Sequence, residues 1–182
     1  MKCPACGESE LRPVELDQGL PAKECGKCGG RWLGSTEYWA WIEKAGTNQP
    51  ERPADGGVPQ ISDSKHIKIC PTCGHLLIRF RVGHGTGFSL DHCGTCNGVW
   101  LDRNEWETLK VRNLHDDIHR IFTAEWQGAI HAEARRTALE RIYRQNFGDA
   151  DFAEVQKIRA WIDAHPKRRA LLAYLTDPKP LK

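Results

Sequence analysis

No stretch of this sequence approaches the roughly 18 consecutive apolar residues that a membrane-spanning helix requires. An apolar signal region is missing too, since the chain opens Met-Lys-Cys-Pro-Ala-Cys. With a ligand-like thiol already at Cys3, little can be removed from this end without destroying the motif it begins. Strong charge of one sign is also lacking. The 26 Lys and Arg face 24 Asp and Glu, a formal net charge of +2, which excludes a nucleic-acid binder that works by net charge alone. Residues 110–182 hold 14 Lys and Arg against 10 Asp and Glu, a mild local excess. At 40% hydrophobic residues and a mean hydropathy of −0.58, a soluble chain is expected. Its 182 residues suit one medium domain or two to three small ones.

What the chain does have is cysteine, eight in all. Without a secretory signal the expected location is cytoplasmic, where thiols stay reduced, so disulfides are disfavoured. The cysteines repeat. Cys3-x2-Cys6 and Cys25-x2-Cys28 form a first set, Cys70-x2-Cys73 and Cys93-x2-Cys96 a second, with 18 and 19 residues between the pairs. Cys-Pro-Ala-Cys-Gly recurs as Cys-Pro-Thr-Cys-Gly. Cys-Gly-Lys-Cys-Gly-Gly-Arg-Trp-Leu recurs as Cys-Gly-Thr-Cys-Asn-Gly-Val-Trp-Leu. Glu37 and Glu105 each follow the tryptophan by five residues.

Zinc in structural sites takes four ligands in a tetrahedron, and thiolates suit it. Each CxxC turn places two sulfurs on one side of a metal, and two turns complete the shell. Gly7, Gly29, Gly74 and Asn97 follow the second cysteine of each pair, and these residue types best tolerate the positive φ of a tight knuckle. Two zinc ions are therefore expected, each with four thiolates of one copy; every such site adds −2, taking the formal +2 to −2. Disulfides, or an iron centre in the same knuckles, are the alternatives. A module of this size has too small a core to fold alone. Metal binding supplies the missing free energy, on the order of 10 kcal/mol.

Between the knuckles of the second copy, Leu76–Val82 reads as a strand, Gly83, Gly85 and Gly87 as a turn, and Phe88-Ser89-Leu90 as the return. Leu11, Val14, Leu16 and Gly19 make a less regular version in the first. Asp102-Arg103-Asn104-Glu105 reads as a capping box opening a helix, and Gly34 weakens the matching cap. Trp32 and Trp100 are expected beside the knuckles, with Trp39, Trp41 and Trp106 on the following helices. His75, His84 and His92 are expected neither to ligate nor to support the metal.

The domain boundaries follow. Residues 1–44 and 67–111 are the two modules. Residues 45–66, rich in Pro and Gly, read as a flexible linker that lets the modules move independently. Residues 112–182 are helical. Leu114, Ile118, Ile121, Phe122, Ala129, Leu139, Tyr143 and Phe147 fall broadly on one helix face, with Gly128 a weak point. Gly148 reads as a C-cap. Asp151 and Glu154 start a second helix carrying Phe152, Val155, Ile158 and Ile162. Pro166 lies in the first turn of a third, which Pro178 and Pro180 end. The fold class is a small, metal-stabilised α+β protein: two four-cysteine ribbons, each a hairpin with knuckles and a helix, plus an α-helical C-terminal region.

CPxCG followed by CxxCxGxWL, with a glutamate five residues past the tryptophan, resembles the transcription factor IIB-type zinc ribbon of bacterial proteins, over residues 1–43 and 68–110. The resemblance implies zinc ligation by Cys3, Cys6, Cys25 and Cys28 and by Cys70, Cys73, Cys93 and Cys96. It also implies a transcription-linked binding role. Gly34 and Asn97 depart from the family pattern without touching a ligand.

Four closed thiolate ligands leave no open position for water, so no enzyme is expected. The leading reading is a non-catalytic adaptor that presents two ribbons and a helical tail to a macromolecular partner, a protein before a nucleic acid, with homo-oligomerisation through the C-terminal helices a further option. The alternative is DNA or RNA binding through Lys68, Arg79 and Arg81 on the second ribbon, or Arg135, Arg136, Arg141 and Arg144 on the long helix. A remote third reading is a zinc hydrolase, because His115 and His119 stand at i and i+4.

Overall fold

The computed structural model describes residues 1–17, 19–45, 60–61, 63–83 and 85–177. Most of the linker, the His84 position, Pro178 and Pro180 lie outside the described residues. The chain divides into two units, residues 1–130 and 131–182.

Both cysteine repeats fall in the first unit and build the same motif. In the first repeat, β1 (Leu11–Glu15) and β2 (Pro21–Cys25) form a hairpin, β3 (Arg31–Leu33) follows the second knuckle, and α1 (Ser35–Ala45) closes the motif. In the second, β4 (Ile78–Arg81), β5 (Ser89–His92), β6 (Val99–Leu101) and α2 (Glu105–Val111) do the same. The expected strand Leu76–Val82 is three residues shorter, Ile78–Arg81, and at its start Leu76 meets Ile69 in an isolated bridge instead.

The two ribbons are not separate beads. Strands β3 and β6 pair antiparallel, Trp32 opposite Trp100, giving one six-stranded sheet in the order β1-β2-β3-β6-β5-β4. This corrects the reading that a flexible linker leaves the modules free to move independently. The linker's composition carried no information about what the strand after each knuckle pairs with. The join is reciprocal and tight. A Cβ on Gly98 would lie 2.2 Å from Cζ2 of Trp32, and one on Gly30 would lie 2.2 Å from Cζ2 of Trp100. Each indole therefore covers the backbone of the other ribbon where only glycine leaves room. Gly30→Ala should cost about 1–3 kcal/mol by overpacking, while Gly26→Ala in the same knuckle, with open space around it, should cost far less. Equal melting temperatures for the two variants would mean that the indoles do not sit on these glycines.

The sheet separates two cores. On one face Trp32, Trp100, Leu11 and Leu77 pack among Cys3, Cys25, Cys70 and Cys93. On the other, Leu33, Val82, Leu90, Val99 and Leu101 meet Tyr38, Trp41, Trp106, Leu109, Leu114, Ile118 and Ile121. The alternation of strand side chains produces this split, as Trp32 and Leu33 face opposite ways. Trp41 and Trp106 are core residues, whereas Trp39 is 44% exposed.

The helical stretch after residue 112 is not one amphipathic face. Asn113 takes a left-handed conformation at φ 52 and ends the α2 region. The Ile118 N–H then donates to the Tyr38 hydroxyl (3.2 Å), and a short α3 (Ile118–Ile121) follows. Leu114, Ile118 and Ile121 are thus buried in the first unit, while Leu139, Tyr143 and Phe147, expected on the same face, are exposed. Helix α4 (Ala124–Phe147) runs through Gly128 without a break. At its start Trp126 Nε1 donates to the Val82 carbonyl (3.0 Å) and Gln127 Nε2 to that of Arg81 (2.9 Å).

In the second unit, Gly148 at φ 81 separates α4 from α5 (Asp149–Ala164), so α5 starts two residues before Asp151. Helix α6 (Arg168–Thr176) starts two residues after Pro166. Phe152 and Ile162 are buried, and Val155 and Ile158, expected to point inward with them, are about half exposed. The Arg144 guanidinium stacks over the Phe152 ring at 4.6 Å.

Candidate metal centres

Each knuckle places its cysteines by the same local geometry. Gly7, Gly29, Gly74 and Asn97 have φ of 68°, 71°, 76° and 56°, and each donates its backbone N–H to the carbonyl of the first cysteine of its pair. The residue types after each CxxC are therefore there for the turn they permit. The turn also aims N–H groups at sulfur. Cys6 N–H points at Cys3 Sγ, and the N–H groups of Thr72 and Cys73 at Cys70 Sγ, all at 3.4 Å.

Four sulfurs converge in each copy, all within 4.8 Å of one another. The closest approaches are 3.6 Å for Cys3–Cys28 and Cys6–Cys25, 3.5 Å for Cys70–Cys96 and 3.4 Å for Cys73–Cys93. A disulfide would hold two sulfurs at about 2.05 Å. A tetrahedron with Zn–S of about 2.3 Å spaces them by roughly 3.8 Å. The spacing therefore fits a shared metal and not a covalent bond. Each cluster draws all four sulfurs from one repeat.

The sulfurs are not electrostatically equal. Burial works against the Cys25 and Cys93 thiolates, but N–H groups of Lys27 and Cys28, and of Thr95 and Cys96, outweigh it and bring each thiol down to about 6. Desolvation pushes Cys3 and Cys28 up, and Cys96 up to about 12. A metal-free cluster would thus hold protons that a bound dication displaces, so zinc affinity falls as pH falls. His75 Nδ1 sits 3.3 Å from Cys73 Sγ, a supporting contact the sequence reading did not expect. His92 instead stacks on Phe122, with ring centroids 4.2 Å apart.

A second polar cluster lies beside the second centre. The Lys68 ammonium is fully buried and meets Asp91 Oδ2 at 2.6 Å, Asp102 Oδ2 at 3.4 Å and the Ser64 carbonyl at 2.9 Å. Asp102 accepts from Trp100 Nε1 and from the Ser64 N–H, both at 2.7 Å. The capping box is therefore only half made. Glu105 Oε2 accepts from the Asp102 N–H (2.8 Å) as expected, but the Asp102 side chain is drawn away from the helix end. Asn104, at φ 69, is the N-cap and makes no side-chain cap. Asp63 and Glu105 complete an acidic cluster with Asp102, and Lys68 and Arg79 supply its counter-charge. Arg79 donates twice to Asp63, at 2.6 and 2.7 Å.

Glu105 Oε1 is buried without a hydrogen-bond partner, and burial, followed by the Asp102 charge, pushes its carboxyl well above the usual carboxylate range. The native state then binds this proton more tightly than the unfolded chain. The stability cost of ionising Glu105 is absent below the ordinary value of about 4.3 and grows as pH rises above it. Wild type should lose stability progressively relative to Glu105→Gln as pH rises above the ordinary carboxylate range. The cysteine titrations are common to both proteins and cancel in the difference. A gap that stayed constant with pH in chemical unfolding would contradict the buried proton.

The other sequence candidates divide. Lys68 and Arg79 are held in the ion pairs just described and do not offer free charge to phosphate. Arg81 is exposed. Arg135, Arg136, Arg141 and Arg144 lie exposed on α4, with Arg144 on Asp149 (2.8 Å) and Arg136 near Glu133 (3.9 Å). His115 and His119 do not share a helix face, because α3 starts only at Ile118. His115 packs against Trp41 and Trp106, and His119 against Trp39. Among the described residues they join no group able to hold a metal, so the hydrolase reading is set aside. The buried Lys68 network was missed. Its one sequence signal was Lys68 standing between Ile67 and Ile69 in an extended stretch, where the inward position of a strand had to be the lysine or both isoleucines.

Residues 2–44 and 69–112 each match the transcription factor zinc-finger family, whose model describes a zinc ribbon of transcription factor IIB type. The chain thus carries two tandem zinc ribbons of this type, and its two four-cysteine clusters suit two structural zinc ions. No curated protein and no solved structure matches the chain. Among the described residues no helix is long and apolar enough to cross a membrane.

Proposed function

We propose that this protein is a non-catalytic adaptor. Cys3, Cys6, Cys25 and Cys28 ligate one zinc and Cys70, Cys73, Cys93 and Cys96 another, and the joined ribbons and the C-terminal helices engage a protein partner. Closure supports the first half of this reading: four sulfurs per cluster leave no position for a reacting water. The exposed apolar surface of the second unit carries the second half. Leu139, Tyr143, Phe147 and Val155, each about half exposed, line a groove of ≈ 940 Å³ between residues 132 and 163, the kind of concave apolar surface that side chains of another protein fill.

The test is co-purification from the source cell with mass spectrometry, comparing wild type with Tyr143→Glu. A stable protein partner lost on substitution is the expected result, and its absence from wild type would end the adaptor reading. The nucleic-acid alternative retains Arg81 and the α4 arginines. It requires a mobility shift with mixed DNA and RNA at about 50 mM salt that weakens steeply as salt rises.

A further inference from the structure

The second unit is short of core. Among its described residues only Phe152 and Ile162 are buried, and α4 buries none of its 24 residues. A helix of that length is marginal in water by itself and takes its stability from packing. The groove between α4 and α5 therefore needs something to fill it. Its lining runs from Phe147 beside the Gly148 turn to Ala132 and Asp163 at the open end. The uncharged side chains are large in the half nearer the turn, Tyr143 and Phe147, and small in the other, Ala132 and Ala160.

Resting on the adaptor reading, in which this groove docks protein, we propose that its occupant is a second copy of this chain, antiparallel across a two-fold axis. Any foreign partner then meets the paired molecule. On α4, an axis between Leu139 and Glu140 sets Phe147 of one copy on Ala132 of the other. The same axis sets Tyr143 on Arg136, whose guanidinium suits a ring face. On α5, Asp151, Val155 and Arg159 follow at i, i+4 and i+8 along one stripe. An axis at Val155 sets Asp151 of one copy on Arg159 of the other. The two axes coincide: at about 1.5 Å per residue, both points stand roughly 10–13 Å from Gly148. One two-fold therefore serves both helices and gives an antiparallel four-helix arrangement.

Size and charge select this occupant together. The groove face carries Arg135, Arg136 and Arg159 against Glu140, Asp151 and Asp163, so two copies meet without net repulsion. Within one chain these charges are loosely held. Arg136 lies 3.9 Å from Glu133 and Arg159 3.8 Å from Asp163, while Arg135, Glu140 and Asp151 have no ion pair among the described residues. A parallel pair, turn against turn, would crowd the bulky halves together and leave a void between the small ones. The antiparallel pair puts bulk on alanine at both ends, because the axis supplies the second match from the same residues.

The experiment is sedimentation of the full zinc-loaded chain across about 1–100 μM, the weak end of the range for protein interfaces. Wild type should be a dimer, and Tyr143→Glu should weaken pairing by about a hundredfold or more, since the two-fold counts the change twice. Asp151→Arg alone and Arg159→Asp alone should each weaken it by roughly tenfold. Mixing those two variants should restore it, because each then supplies the opposite charge to the other. Two zinc per chain certify the ribbons in every variant, and the mixture reads the contact even where Tyr143→Glu disorders the helices. A wild type that stays monomeric at the highest concentration overturns the pairing, as does a dimer that Tyr143→Glu leaves intact or a mixture no tighter than its components. A foreign protein that co-purifies with monomeric wild type and is lost with Tyr143→Glu gives the groove to that protein and keeps the adaptor reading. A wild-type dimer from which no foreign partner co-purifies supports the pairing and ends the adaptor reading.

Discussion

Removing zinc from either cluster is expected to unfold both ribbons together. A chelator titration followed by zinc release and far-ultraviolet circular dichroism should show one transition, and Cys25→Ser should lower zinc content at both centres. Each structural zinc contributes on the order of 10 kcal/mol to its module, comparable to the roughly 5–15 kcal/mol stability of a whole domain. Neither ribbon is insulated from that loss. Strand β3 is hydrogen-bonded to β6, Trp32 and Trp100 each lie on the other ribbon's glycine, and the helix-side core draws Leu33, Tyr38 and Trp41 from one repeat and Val99, Leu101 and Trp106 from the other. Two well-separated release steps, with the second ribbon's amide signals persisting after the first, would show that the shared sheet does not couple the centres.

Replacing Lys68 by methionine should destabilise the protein by about 3–5 kcal/mol, the usual cost of stranding one partner of a buried ion pair. Methionine is a fair test because it is unbranched, flexible and uncharged, so it fills much of the space of the lysine stem without the ammonium. What changes is the charge. Asp91 is 2% exposed and Asp102 is 6% exposed, and Lys68 is the ammonium that reaches both. Burial already pushes the Asp91 carboxyl above the usual carboxylate range, with Lys68 opposing the push. Adding Asp91→Asn to Lys68→Met should recover part of the loss, since it removes a stranded charge. Arg81→Met, on an exposed residue, should leave denaturant stability almost unchanged. A Lys68→Met protein as stable as wild type would mean that the network is not closed as described.

The metal chemistry was legible in the sequence because it is local and repeated. CxxC spacing, and Gly or Asn after each pair, specify a knuckle through backbone sterics alone, and the two copies confirm each other. Trp32 and Trp100 beside the knuckles were legible for the same reason. The helical tail was legible in type but not in partition. A 3.6-residue period reports that a face exists, not which body it packs on, so Leu114, Ile118 and Ile121 were grouped with residues that remain exposed. The paired histidines failed similarly: spacing predicts a shared face only while the helix is continuous, and Asn113 ends one helix before Ile118 begins the next.

By itself, then, the sequence determined two four-thiolate zinc ribbons, because the ligands, their turns and their spacing are contained in short segments. Only the tertiary structure decided that the ribbons form a single sheet, that Lys68 is a buried counter-ion rather than a surface cation, and that Ile67, Ile69, Leu76 and Ile78 face water. The physical reason is that these depend on which strand lies beside which, and on which side of a strand faces the core. Both are settled by pairing between segments far apart in the chain, where the fit of Trp32 on Gly98 and of Trp100 on Gly30 selects the register.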